Sequence, residues 1–124
     1  MNVRFFICNH CGNIIAMIKD QGVPIKCCGE SMKEIIAGTS EGAKEKHIPV
    51  YKVSGEAVTV SVGEKEHPMT DDHYIDWVCM ETEEGFQLKK LKADMPAKIS
   101  FSLTKGDKVK SVYAFCNQHS LWKA

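Results

Sequence analysis

The run Ala57-Val58-Thr59-Val60-Ser61-Val62, closed by Gly63, carries the clearest secondary-structure signal in the chain. Its apolar and polar side chains alternate, which is typical of a β-strand with one face in a core. Strand-like patterns continue on both sides of this run, at residues 50–53, 74–78, 86–88, 99–103 and 109–115. Turn residues at Glu84-Gly85 and Lys105-Gly106-Asp107 separate the later segments. The spacing predicts a mainly β protein whose larger part is an immunoglobulin-like antiparallel β-sandwich.

Composition excludes several classes of protein. The chain has 124 residues, 44% of them hydrophobic, and 16 basic residues balance 16 acidic ones. These values are those of a folded globular protein and exclude a disordered chain. Zero net charge argues against a protein that binds nucleic acid by bulk electrostatic attraction. No run approaches the roughly 20 apolar residues that a membrane span requires, so we expect no membrane partner.

Six cysteines and five histidines in so short a chain indicate metal sites. The first residues contain no apolar segment of the length that secretory signals have, so we expect a cytoplasmic protein. In that reducing compartment, cysteines are more often metal ligands than disulfides. A disulfide framework is the alternative, for a protein that is exported without such a segment.

Four cysteines lie close together near the amino terminus. Cys8-Asn9-His10-Cys11 is a C-x2-C motif, and the adjacent pair Cys27-Cys28 follows after fifteen intervening residues. A segment of about 37 residues is too small to fold on a hydrophobic core alone, and a metal held by these thiols would stabilise it. The small, polar residues 37–43 that follow are typical of a linker. We therefore predict a metal-stapled β domain over 1–37 and a sandwich domain over 38–124.

The adjacent cysteines distinguish this site from an ordinary zinc ribbon. In an extended strand the side chains of Cys27 and Cys28 diverge, so binding of one metal by both must distort the tetrahedron. Zinc gains nothing from such a distortion, whereas iron would have its electronic structure altered. A structural zinc knuckle is the alternative. We expect His10 to face solvent, because four thiolates complete the site. A capping-box pattern at Ser31-x-x-Glu34 is a weak helix signal.

A second set of possible ligands lies beyond residue 40. It contains four histidines and one cysteine, each beside a turn or a strand end: His47, His67, His73, Cys116 and His119. Pro68 favours an extended conformation for His67, and Cys116-x2-His119 has a chelating spacing. Loops at one end of a sandwich can bring such residues together. Five ligands are too many for tetrahedral zinc, but they leave one open position on an octahedral metal such as iron.

Both patterns resemble one family. The sequence C-x2-C-x15-C-C, with Gly12 and Gly29, is similar to desulforedoxin and the amino-terminal domain of desulfoferrodoxin. The second set matches superoxide reductases in three motifs: Glu45-Lys46-His47-Ile48-Pro49, His67-Pro68-Met69 followed by His73, and Cys116-Asn117-Gln118-His119. Together they cover nearly the whole chain. The resemblance is to the two-iron form of the family.

The resemblance implies specific roles. It implies one iron held by Cys8, Cys11, Cys27 and Cys28, where zinc can substitute. It implies a catalytic iron held by His47, His67, His73, His119 and Cys116. Lys46 would attract superoxide, and Glu45 would bind the ferric iron after the product leaves. The family reduces superoxide to hydrogen peroxide with electrons from a rubredoxin-like donor, and its two-iron members are homodimers.

Two other functions fit the residues alone. One is an electron carrier that uses only the cysteine site. The other is a zinc-stabilised binding module, with Tyr74, Trp77 and Trp122 as a possible surface, although such aromatic residues usually line a core or a site. We expect Cys79, in Trp77-Val78-Cys79-Met80, to be a small strand residue without a function.

Overall fold

The computed structural model describes residues 2–40 and 42–124. It divides into two compact units, Met1–Ile36 and Ala37–Ala124. Glu41, which belongs to the expected linker, lies outside the described residues. No helix in the described ranges is long and apolar enough to cross a membrane.

The first unit is built from short antiparallel strands. They are β1 (Arg4–Ile7), β2 (Ile14–Met17), β3 (Lys26–Cys27), β4 (Glu30–Ser31) and β5 (Lys33–Ile35). One sheet has the order β2-β1-β5, and β3 and β4 form a separate hairpin. The helix signal at Ser31 and Glu34 is wrong, since these residues lie in β4 and β5. A pairing of β5 with β1 in the tertiary structure prevails over a weak local preference.

The second unit begins with a short helix, α1 (Lys44–His47), and continues with seven strands. They are β6 (Pro49–Ser54), β7 (Ala57–Val62), β8 (Ile75–Thr82), β9 (Phe86–Lys90), β10 (Lys98–Ser102), β11 (Val109–Cys116) and β12 (Ser120–Lys123). The sheets have the orders β10-β7-β6 and β12-β11-β8-β9, and every pairing is antiparallel. The predicted mainly β fold is confirmed. Neither α1 nor β12 was predicted.

The core lies between these two sheets. Val58, Val60 and Val62 point inward from β7, as the alternation predicts, and they are at most 1% exposed. Met80 of β8 and Val112 of β11 meet them from the other sheet, and both are fully buried. Burying such side chains is worth about 1.5 to 3 kcal/mol each. This core fixes where the strands end.

The strand ends bring the predicted ligands to one end of the sandwich. Pro49, at the start of β6, pairs with Val62, at the end of β7. Ile75, at the start of β8, pairs with Cys116, at the end of β11. The segments that leave these ends carry the four histidines. The register of the two sheets therefore determines which side chains can meet.

Candidate metal centres

The first candidate centre consists of four cysteines. Their sulfur atoms all lie within 4.8 Å of one another: Cys8, Cys11, Cys27 and Cys28. Gly12 and Gly29 follow the two pairs with φ of 81° and 77°, so both turns use a backbone conformation that glycine adopts without strain. Cys28 itself has a φ of 53°. This left-handed residue ends the extended course of β3, and the sulfurs of neighbouring residues can therefore converge instead of diverging.

Hydrogen bonds around the thiols favour a thiolate at one of them. The backbone amides of Cys11 and His10 lower the pKa of Cys8 to about 6, with further hydrogen bonds from neighbouring thiols. Hydrogen bonds with Cys11, Cys8 and Cys27 raise the pKa of Cys28 to about 12. The loop thus stabilises one negative charge, while the last thiol keeps its proton unless a cation is bound.

His10 lies outside this group of sulfurs. It is exposed, and its Nε2 lies 3.2 Å from Oε1 of Glu30, which is also exposed. This contact joins the two loops that carry the cysteines. It is a surface ion pair when the imidazole is protonated, and such pairs contribute little stability.

The second candidate centre lies at the end of the sandwich. One ligand-type atom from each of His47, His67, His73 and Cys116 lies within 4.8 Å of the others. His119 adjoins this group, because its Nδ1 is 3.1 Å from Nε2 of His47 and 3.8 Å from Sγ of Cys116. All five predicted residues are therefore brought together.

Backbone carbonyls fix the orientation of two of the imidazoles. Nδ1 of His47 lies 2.7 Å from the carbonyl oxygen of Ala43, and Nδ1 of His67 lies 2.7 Å from that of Pro68. A proton on each Nδ1 leaves the Nε2 lone pair free to bind a metal. Such partners could not be assigned from the sequence.

Two nitrogen atoms in this cluster test whether a metal fits. Nε2 of His67 and Nε2 of His73 are buried and have no hydrogen-bond partner among the described residues. A buried polar atom without a partner costs free energy, and a metal ion would satisfy both atoms at once. Imidazole and thiolate donors suit iron and zinc. The residues present therefore fit a metal, and the two clusters fit the two iron centres that the resemblance implies.

Burial keeps these imidazoles neutral. Desolvation lowers the pKa of His47 and of His73, and it lowers the pKa of His67 to about 4. Burial also raises the pKa of the Cys116 thiol, although the amides of Gln118 and His119 oppose this rise. His47, His67 and His73 are thus neutral near neutral pH in the metal-free protein. The cluster is ready to bind a cation, with one proton lost from Cys116 on binding.

Glu45 and Lys46 lie on α1, directly before His47, and both are exposed. Burial is the main cause of the lowered pKa of His47 and of His73, and the positive charge of Lys46 makes a smaller contribution in the same direction. The Glu45 carboxylate is not part of the ligand group. With Lys44, Ile48, Val50 and Glu64, it lines a surface cavity of about 440 Å³.

Both tryptophans line the core or the site, as such aromatic residues usually do. The indole of Trp122 stacks on His47 with ring centroids 5.0 Å apart, and its Nε1 donates a hydrogen bond of 2.9 Å to the carbonyl of His119. Trp77 stacks on Phe115. Both tryptophans are at most 5% exposed, so they form no binding surface. The stacking of Trp122 on His47 was not predicted, although Trp122 lies only three residues after His119 in the sequence.

Cys79 is a core residue, as expected. It is fully buried in β8, and burial raises its pKa to about 12. A thiol in such surroundings is chemically inert. All six cysteines are free thiols, so no disulfide competes for the candidate ligands.

Known proteins match this chain along its whole length. The family model for desulfoferrodoxin matches residues 39–124. A desulfoferrodoxin from Clostridium acetobutylicum is 36% identical, over 99% of this chain and 96% of the relative. A desulfoferrodoxin from Nitratidesulfovibrio vulgaris is 40% identical, over 98% of this chain and 94% of the relative. The crystal structure of the superoxide reductase from Treponema pallidum is 40% identical, with a TM-score of 0.85, over 100% of this chain and 99% of that one.

These matches include both clusters of ligand-type side chains, because the aligned regions extend across both units of the chain. The family model by itself covers the second unit from Thr39 onward. The full-length relatives extend the likeness to the four amino-terminal cysteines. The chain therefore belongs to the desulfoferrodoxin family.

Proposed function

We propose that the protein is a superoxide reductase, an oxidoreductase that converts one superoxide, one electron and two protons into one hydrogen peroxide. The observation that carries the proposal is the convergence of four imidazoles and the Cys116 thiol, with Lys46 directly before His47 on α1. Solved superoxide reductases with a similar sequence and fold support it.

We assign the ligands by position. Residues 1–37 form a domain with an Fe(Cys)4 centre, held by Cys8, Cys11, Cys27 and Cys28. Residues 38–124 form the catalytic domain, whose iron is held by His47, His67, His73, His119 and Cys116. When bound there, iron supplies the single electron that reduces superoxide.

Lys46 recruits the substrate in this proposal. Superoxide is a small anion, and an exposed ammonium next to the ligand cluster raises its local concentration. A chain without net charge can capture an anion in this way because the attraction is local. Protons come from solvent water ordered by Lys46, because the Nδ1 protons of His47 and His67 are held by backbone carbonyls. Glu45, one residue away, is the proposed ligand after product release.

The remaining parts of the proposal concern partners. The reaction returns no oxygen, so the electron must come from outside, and we propose a rubredoxin-like donor. We also propose a homodimer formed through the first unit, supported by the exposed apolar side chains of Ile18 and Val23, which are 74% and 72% exposed. Thiolate ligands need a reducing compartment, which supports the cytoplasm.

For the test, the full chain is loaded with iron and reduced under anaerobic conditions. A known amount of superoxide is added, and hydrogen peroxide and oxygen are both measured. A reductase gives one hydrogen peroxide per superoxide and no oxygen. A dismutation would give half as much peroxide, with oxygen as the second product.

The same experiment separates the alternatives. A pure electron carrier would lose no electron from its second centre when superoxide is added. A zinc-stabilised binding module would be colourless and would contain zinc only. Either outcome would contradict the proposed function.

A further inference from the structure

Ser40 and Ala43, in the segment whose composition is that of a linker, make direct contacts with His119 and His47. The amide of Gly38 donates a 2.8 Å hydrogen bond to the carbonyl of Leu121 in β12. Ser40 Oγ donates to the carbonyl of His119. The carbonyl of Ala43 accepts from Nδ1 of His47 at 2.7 Å. A connector that only joined two domains would need none of these contacts.

Gly42 lies against two of the imidazoles. A Cβ added at this position would lie 3.1 Å from Cε1 of His47, and 3.2 Å and 3.3 Å from Cγ and Cβ of His119. These separations are shorter than normal carbon contacts, so the rings would have to move by a few tenths of an ångström. The absence of a side chain at Gly42 thus lets both rings lie where they are. Its φ of 151° is also one that favours glycine.

A side chain of β12 contacts the same two residues. Trp122 stacks on the His47 ring, and its Nε1 shares the His119 carbonyl with Ser40. His47 and His119 are therefore confined between the segment before α1 and the strand that follows His119. Their nitrogen atoms are only 3.1 Å apart, so a small movement of either ring changes the distance between two ligand atoms.

We propose that Ser40, Gly42 and Ala43 form a positioning strap for His47 and His119, and that Gly42 is the residue that sets how closely these two imidazoles approach. The strap acts through the ligands and touches no substrate. The inference rests on the proposed ligand assignment. Outer partners of metal ligands commonly contribute 10- to 100-fold in metal affinity, so a change in the strap should be felt at the metal.

The matched variants are Gly42→Ala and Gly55→Ala. Gly55 also has a positive φ, of 60°, but a Cβ there would meet nothing within 4 Å. The second variant therefore places a side chain at a positive φ without any contact to the imidazoles. Both are made in the full chain and loaded with iron, and the Fe(Cys)4 centre of the same molecule serves as an internal spectroscopic reference.

Two readouts are measured besides activity. One is the wavelength of the visible charge-transfer band between the Cys116 thiolate and the second iron. The other is the rate at which a chelator removes that iron. We expect Gly42→Ala to shift the band and to speed iron loss about tenfold or more, with the first centre unchanged. Gly55→Ala should change neither. If Gly42→Ala has the same band position and the same rate of iron loss as the wild type, the proposal is wrong.

A second variant keeps the test decisive if Gly42→Ala does not fold. Ser40→Ala removes one donor to the His119 carbonyl and adds no atom, and we expect a smaller shift of the same band. An unchanged band would contradict the proposed positioning role of the strap. A wild-type protein that binds no second iron, or reduces no superoxide, would instead overturn the proposed function. The two failures are thus distinguishable.

Discussion

The indole ring of Trp122 lies on the imidazole of His47, with ring centroids 5.0 Å apart and planes 25° from parallel. The same indole donates a hydrogen bond to the carbonyl of His119. One buried side chain thus contacts two candidate ligands that are 72 residues apart in the sequence. The buried core therefore supports the ligand cluster, in addition to the loops that carry the ligands.

Trp122→Phe tests this support. It removes the N–H donor and part of the stacked ring, so we expect the free energy of unfolding to fall by about 1 to 3 kcal/mol. Iron affinity at the second centre should fall about tenfold. Denaturant unfolding and chelator competition measure the two effects. Trp77→Phe is the control, because it makes the same change at a buried tryptophan that stacks on Phe115. Equal iron loss from both variants would contradict the role of Trp122.

The stability of the metal-free protein should depend on the protonation of His67. Its pKa is about 4 in the folded state against about 6.5 in the unfolded chain. Between these values the unfolded state binds more protons, so stability is highest above pH 6.5 and falls as the pH drops toward 4. The expected loss is of the order of 3 kcal/mol. Unfolding followed by tryptophan fluorescence reports on the second unit, which holds both tryptophans. His67→Gln should flatten the dependence, and an unchanged slope would refute this origin.

Lys46→Ala should slow the capture of superoxide by about tenfold or more, because a local positive charge raises both the encounter rate and its salt dependence. The reaction of the reduced iron form is followed after rapid mixing at several ionic strengths. Lys44→Ala, on the same helix, is the matched control and should have a much smaller effect. If capture by Lys46→Ala keeps the rate and salt dependence of the wild type, Lys46 does not recruit the substrate.

Gly63→Ala should disturb the position of Lys46. A Cβ at Gly63 would lie 2.3 Å from the carbonyl oxygen of Lys65 and 2.6 Å from that of Lys46. The backbone must move, so we expect a loss of at least about 2 kcal/mol in unfolding free energy beyond the control, together with slower superoxide capture. The control is Gly106→Ala, whose φ of 88° matches the 89° of Gly63 but whose Cβ would meet nothing within 4 Å. Equal effects in the two variants would mean that the close contact is unimportant.

Cys28→Ala should remove one iron of two. Three sulfurs then remain in the first cluster, and we expect its visible bands to disappear while those of the second centre stay. Metal analysis and the visible spectrum measure both. Cys79→Ala is the control and should retain two irons, because Cys79 is buried in the core and away from either cluster. If the Cys28→Ala variant still binds two irons, Cys28 is not a ligand.

The sequence predicted the fold where the signal was periodic. The run 57–62 alternates strictly and is β7 to the residue, because one face of that strand is buried and the other is not. The N-terminal strands have two to four residues each, which is too short for a period to emerge. β12 was missed for the same reason. The helix α1 carries no side-chain cap and follows from the packing of its backbone against the turn at Gly63.

The sequence by itself determined which donor atoms are available and in what order. Cysteine and histidine side chains bind iron and zinc, and their spacing beside turn residues can be read from the sequence. Only the tertiary structure decided how those atoms meet. The indole of Trp122 against His47 and the empty space at Gly42 beside His119 are contacts between positions far apart in the sequence. Such contacts depend on strand register and core packing, which no local pattern encodes.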